Sequence, residues 1–115
     1  MAGKYAQLAD QVASGIGLLR EGAPETAKAF TALAIAATAP KALDSKTKEL
    51  IALAVGIAGH CEGCVAYHTR AAWKQGASRQ EVMETVATAI YMGGGPAAVY
   101  GADAVRAYDE FSAPA

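Results

Sequence analysis

Apolar side chains recur along this chain every three or four residues, and Gly and Pro cut the recurrence into about six segments. That spacing is the period of an amphipathic helix, and no alternating strand pattern competes with it. A first helix is predicted over Lys4–Leu19, with Leu8, Val12, Gly15, Ile16 and Leu19 on one face, closed by Gly22-Ala23-Pro24. Pro24 suits the first turn of a second helix over Glu25–Thr38, with Phe30, Leu33, Ala34 and Ala37 on one side and Pro40 beyond its end. Asp44 or Ser45 caps a third helix to Ala58, whose expected buried stripe is Leu50, Ile51, Ala54, Val55 and Ala58. Gly59 interrupts it. A fourth helix begins near Cys61 and stops at Gly76, a natural left-handed residue. Ser78-x-x-Glu81 reads as a capping box opening a fifth helix with Val82, Val86, Ala89 and Ile90 inward. Gly93-Gly94-Gly95 breaks the chain, and a sixth helix runs from about Ala97 to Phe111 before a frayed tail, Ser112–Ala115.

Composition strengthens this reading. Alanine is frequent and β-branched runs are scarce, which favours helix. A length of 115 residues fits one domain, 1–115, with a modest core. Yet 53% of residues are hydrophobic and only 18% charged, more apolar than an average soluble domain. The excess predicts an extensive subunit interface, hence a homo-oligomer. The net charge is −1 with no basic cluster, so nucleic acid is not an expected partner. The longest apolar run, Leu33–Ala39 broken by Thr38, is too short to span a bilayer, and Met1–Asp10 has no apolar run of the signal type. A cytoplasmic protein without a membrane partner is expected.

The two cysteines, Cys61 and Cys64, form one C-x-x-C, a pattern more often redox-active or metal-binding than structural in a cytosolic chain. With a helix starting near Cys61, Cys61, Cys64 and His68 fall at i, i+3 and i+7 on one face. Cys61 then lies where free backbone N–H groups and the helix dipole stabilise an anion, and its sulfur can meet that of Cys64. His68 can exchange a proton with Cys64. Glu49 lies ten residues before Gly59 and His68 nine after it, so an antiparallel hairpin of the third and fourth helices returns Glu49 to His68. A carboxylate there can orient the imidazole or relay a proton through water. Other readings stand beside this one. The C-x-x-C can be a reduced structural pair, and Glu49 a solvated helix residue. His60, Cys61, Cys64 and His68 are four metal-ligand types in one stretch, although neighbouring His60 and Cys61 rarely converge on one ion. His60 is expected as a loop residue, and Tyr67, Trp73, Tyr91 and Tyr100 as core or interface aromatics. Gly93–Gly95 lacks the strand and the Lys-Ser/Thr of a phosphate loop. No metal and no cofactor is expected.

Glu49, eleven residues, Cys61-Glu62-Gly63-Cys64, three residues and His68 resemble the core motif of the alkylhydroperoxidase AhpD-like proteins of the carboxymuconolactone decarboxylase superfamily. Gly76-Ala77-Ser78-x-x-Glu81 and Met92–Pro96 resemble it too, so the likeness covers about Lys41–Phe111. The resemblance implies an all-α bundle assembling into trimers or hexamers, and a thiol-dependent peroxidase cycle. Cys64 is implied as the thiolate that attacks peroxide and becomes a sulfenic acid, Cys61 as the resolving thiol, His68 as the base and Glu49 as its support through water. A dithiol of the lipoyl type is implied as reductant. The best-known AhpD proteins carry a His just before the second cysteine, where this chain has Gly63. Two further functions remain open: a lactone decarboxylase of the parent superfamily, which needs no thiol pair, and a zinc-stabilised or redox-sensing helical module without catalysis.

Overall fold

The computed structural model describes residues 3–114 as six α-helices with no strand: α1 (Lys4–Gly22), α2 (Pro24–Thr38), α3 (Ser45–Ala58), α4 (Glu62–Lys74), α5 (Arg79–Gly93) and α6 (Gly95–Ser112). Met1, Ala2 and Ala115, which fall within the expected leader-free start and the expected frayed tail, lie outside the described residues. The all-α bundle of about six helices is therefore present, and every predicted break falls within a few residues of an observed one.

Local signals explain most of the boundaries. The Asp44 side chain accepts the Thr47 N–H at 2.8 Å, and Ser78 with Glu81 forms the reciprocal capping box expected from the sequence. Gly76 adopts φ +90 after α4, and the Gly76 and Ala77 N–H groups bond the carbonyls of Trp73 and Ala72. That is the Schellman pattern, which satisfies carbonyls left over at a helix end. The start of α1 has no cap of its own, because its N-cap is Gly3. Glu110 of α6 takes that role: Oε1 accepts the Tyr5 N–H at 3.1 Å and Oε2 the Ala6 N–H at 2.8 Å.

The main core is built by α3, α4, α5 and α6 around Leu53, Ile57, Val65, Val82 and Val86, filled in with alanines of α4, α5 and α6. Each large side chain buried there stabilises by about 1.5–3 kcal/mol. A smaller cluster of Tyr5, Ala9, Ala66 and Ala107 seats α1 on α4 and α6. Ion pairs Lys46–Glu81, Arg70–Asp10 and Arg79–Asp109 tie helices at the rim.

Two expected apolar faces are not buried as expected. On α3 the buried residues are Leu53, Gly56 and Ile57, while Ile51, Val55 and Ala58 are exposed. On α2 only Ala27 is buried, and Phe30, Leu33, Ala34 and Ala37 all face outward. The physical reason is the same in both cases. Both helices are apolar around more than one face: α4, α5 and α6 cover one side of α3 and leave the Ile51–Val55 side open, and α2 has little beyond α1 to cover it.

Candidate active site

The site is built at the junction of α3 and α4. α3 ends at Ala58, and the His60 N–H bonds the Ile57 carbonyl at 3.2 Å while the Cys61 N–H bonds the Gly56 carbonyl at 3.0 Å. This is again a Schellman pattern, with His60 in the left-handed position at φ 57. That conformation costs a residue with a Cβ about 1–2 kcal/mol. The same Cys61 that completes the α3 stop also caps α4, its Sγ accepting the Cys64 N–H at 3.2 Å. Cys61 is thus one position ahead of the first helical residue, slightly earlier than the sequence suggested.

Cys61 and Cys64 are joined in a disulfide, with their Cα atoms 5.2 Å apart. His68 follows Cys64 by four residues along α4. Its Nδ1 lies 2.8 Å from Glu49 Oε2, and both side chains are half-buried or better. A carboxylate only accepts hydrogen bonds, so Nδ1 is the nitrogen that donates to Glu49, and Nε2 is the ring nitrogen left for another partner. The contact is direct, where the resemblance implied a bridging water. Cys61, Cys64 and His68 line one open cavity of about 460 Å³, whose other walls are Ala52, Val55, Gly56 and Gly59. All four expected residues are therefore brought together, three at the cavity and Glu49 behind His68.

Gly56, which shapes the cavity floor, is a residue that the helical pattern does not single out. Gly56 is buried under the disulfide, and a Cβ there would stand 3.0 Å from Cys64 Cβ. Glycine lets α3 approach α4 at the thiol pair, and a glycine in the last turn of an apolar helix is the signal the sequence offers. Gly63 is explained in the same way. A Cβ at that position would fall 2.8 Å from Val12 Cγ2, because α1 leans on the first turn of α4. A histidine between the cysteines has no room here unless Val12 moves. His60 lies exposed in the turn between α3 and α4, as expected, and there lays its ring on Tyr100 of α6, with centroids 5.1 Å apart and planes within 7°.

Among the described residues, no group of three or more His, Cys, Asp and Glu is placed to hold a metal ion. No helix among them is long and apolar enough to cross a membrane. A second open depression of about 500 Å³ lies between α1 and α2, lined by Arg20, Pro24, Lys28, Thr31, Ala32 and Ile35, without a cysteine or histidine.

Known proteins share this architecture. A carboxymuconolactone decarboxylase family protein from Legionella pneumophila superposes with a TM-score of 0.90 and 42% identity, over 96% of this chain and 98% of that one. A protein of the same family from Thermotoga maritima superposes with a TM-score of 0.80 and 27% identity, over 89% of this chain and 87% of the other. An uncharacterised Cupriavidus necator protein is 37% identical over 97 residues, covering 84% of this chain and 86% of its own. Residues 24–107 match the carboxymuconolactone decarboxylase family itself, a span that holds α2 to α5, the larger part of α6 and the whole thiol site. The chain belongs to the carboxymuconolactone decarboxylase family.

Proposed function

We propose that this protein is a thiol-dependent peroxidase of the AhpD-like kind, working through the Cys61–Cys64 pair. The observation that carries the reading is a disulfide of the C-x-x-C type and a histidine lining one cavity, with a carboxylate holding the histidine by Nδ1. In the reduced protein, His68 takes the Cys64 proton. The Cys64 thiolate attacks the terminal peroxide oxygen, the O–O bond breaks, and an alcohol or water leaves after taking up a proton. Cys64 is left as a sulfenic acid. Cys61 then attacks that sulfur, water departs, and the disulfide seen here forms. An external dithiol, of the lipoyl type by family resemblance, returns two electrons and two protons. The Thermotoga maritima relative is described as a candidate for the antioxidative response, which agrees in direction.

The test uses cysteine variants in a peroxide-dependent thiol oxidation assay. Cys64→Ser should abolish turnover, and Cys61→Ser should stop after one event with a sulfenic acid trappable by dimedone. Wild-type turnover in Cys64→Ser would remove the proposal. The family match supports a second reading, lactone decarboxylation, which needs no thiols. Turnover of carboxymuconolactone by a Cys61→Ala/Cys64→Ala variant would favour it.

The reading extends to assembly. Phe30, Leu33 and Ile35 of α2 and Leu18 and Leu19 of α1 are all more than half exposed in the single chain. Large apolar side chains exposed on two helices that contact each other are the kind of surface that marks an interface. A homo-oligomer, a trimer or hexamer by family resemblance, covers that surface.

A further inference from the structure

The stop of α4 follows the ordinary rule, with glycine at the left-handed position. The stop of α3 has the same hydrogen-bond pattern and puts histidine there, and His60 is the one non-glycine with positive φ among the described residues. A side chain in that conformation persists only where its surroundings offset the strain. The contact that can do so is the flat stack of His60 on Tyr100, a residue itself packed on the main core. The next residue is Cys61. Its N–H is fixed by the Gly56 carbonyl and its Sγ sits over the start of α4. The backbone at His60 therefore decides how Cys61 enters the helix and where its sulfur stands.

We propose that His60 is a positioning residue for the thiol pair, clamped by Tyr100, and that this stack sets how readily the Cys61–Cys64 bond opens. The proposal rests on the redox reading above only in that the pair must cycle between disulfide and dithiol; it needs no peroxide. Opening consumes two glutathione thiols: two electrons and two protons pass to Cys61 and Cys64, and one glutathione disulfide is released. In the dithiol the sulfurs are no longer tethered, and only the junction keeps them close. With the ring stack in place Cys61 stays at the N-cap beside Cys64, and reclosure is favoured by proximity. Without it the left-handed turn loses its support, Cys61 drifts from the N-cap, and reduction becomes easier.

The full-length protein is equilibrated in graded mixtures of reduced and oxidised glutathione, and free thiols are counted by alkylation and mass. His60→Asn removes the ring while keeping a residue that tolerates the left-handed conformation. Tyr100→Leu removes the other ring, and Tyr100→Phe keeps it. His60→Asn and Tyr100→Leu should each make the pair about two- to tenfold easier to reduce, the range expected of one aromatic stack. The double variant should shift no further than either single one, and Tyr100→Phe should match wild type. His60 is exposed, so His60→Asn decides the matter even if Tyr100→Leu does not fold. An unchanged equilibrium in His60→Asn, a shift toward harder reduction, or an equal shift in Tyr100→Phe would overturn the proposal. A melting temperature that falls while the glutathione equilibrium stays put would do the same, since it marks a merely structural contact. Peroxide turnover is measured separately, so its absence would count against the peroxidase reading and leave this one standing.

Discussion

At the scale of single residues, the site depends on which hydrogen bond each group has already spent. Glu49 holds His68 by Nδ1, so an exchange of a thiol proton has to use Nε2. Replacing Glu49 with Gln keeps the shape and removes the charge that stabilises the imidazolium. Peroxide-dependent oxidation of the reduced protein should slow about 10-fold or more, within the roughly 10²–10⁴-fold that a positioned general base supplies, with secondary structure by circular dichroism unchanged. An unaltered rate would mean that the pair is structural. The sequence made Glu49, Cys61, Cys64 and His68 visible because hairpin arithmetic and helical spacing are local rules. It did not reveal His60 on Tyr100, because the partners are forty residues apart and histidine carries no stop signal comparable to that of Gly76.

At the scale of elements, helix ends decide where the chemistry stands. Cys61 serves as the last residue of one stop and the cap of the next helix, so the α3–α4 junction leaves no spare residue at the thiol pair. The Ser78–Glu81 box was legible because both partners lie within one turn. The cap of α1 was not, since Glu110 reaches it from the far end of the chain and Gly3 advertises nothing. Several of these ends depend on carboxylates. The Thr47 N–H at the start of α3 holds Asp44 below the usual carboxylate range, Lys46 and the Ser78 backbone do so for Glu81, and Arg79 for Asp109. A carboxyl with a depressed folded pKa contributes stability above its unfolded pKa, and that contribution is lost as pH falls through the folded value. The melting temperature should therefore be flat near neutrality and decline below about pH 4. Glu81→Gln should show a smaller decline over the same window. An equal decline in the variant would place the acid-sensitive contacts elsewhere.

At the scale of the whole molecule, α3 to α6 share the main core, and α2 has almost no part in it. α2 has one buried residue in fifteen, although its side chains are as apolar as those of the core. A sequence pattern reports that a face is apolar and cannot say whether the same chain or another copy covers it. That is why Phe30 and Leu33 read as core and stand in the open here. Light scattering coupled to size exclusion should give a mass several times 11.7 kDa. Leu33→Glu should lower that mass without unfolding the bundle, because Leu33 touches none of the core. A monomeric wild-type protein would contradict the proposed assembly.

The most direct test of the central claim is a single-turnover titration. The fully reduced protein is mixed with substoichiometric peroxide, quenched in acid, and its thiols are counted by alkylation and mass spectrometry. The account predicts that each peroxide consumed removes two thiols from one chain and yields a Cys61–Cys64 bridge, with His68→Ala doing so at least tenfold more slowly. Peroxide consumed at the rate of a free thiol in solution, or loss of one thiol per event without the bridge, would contradict it.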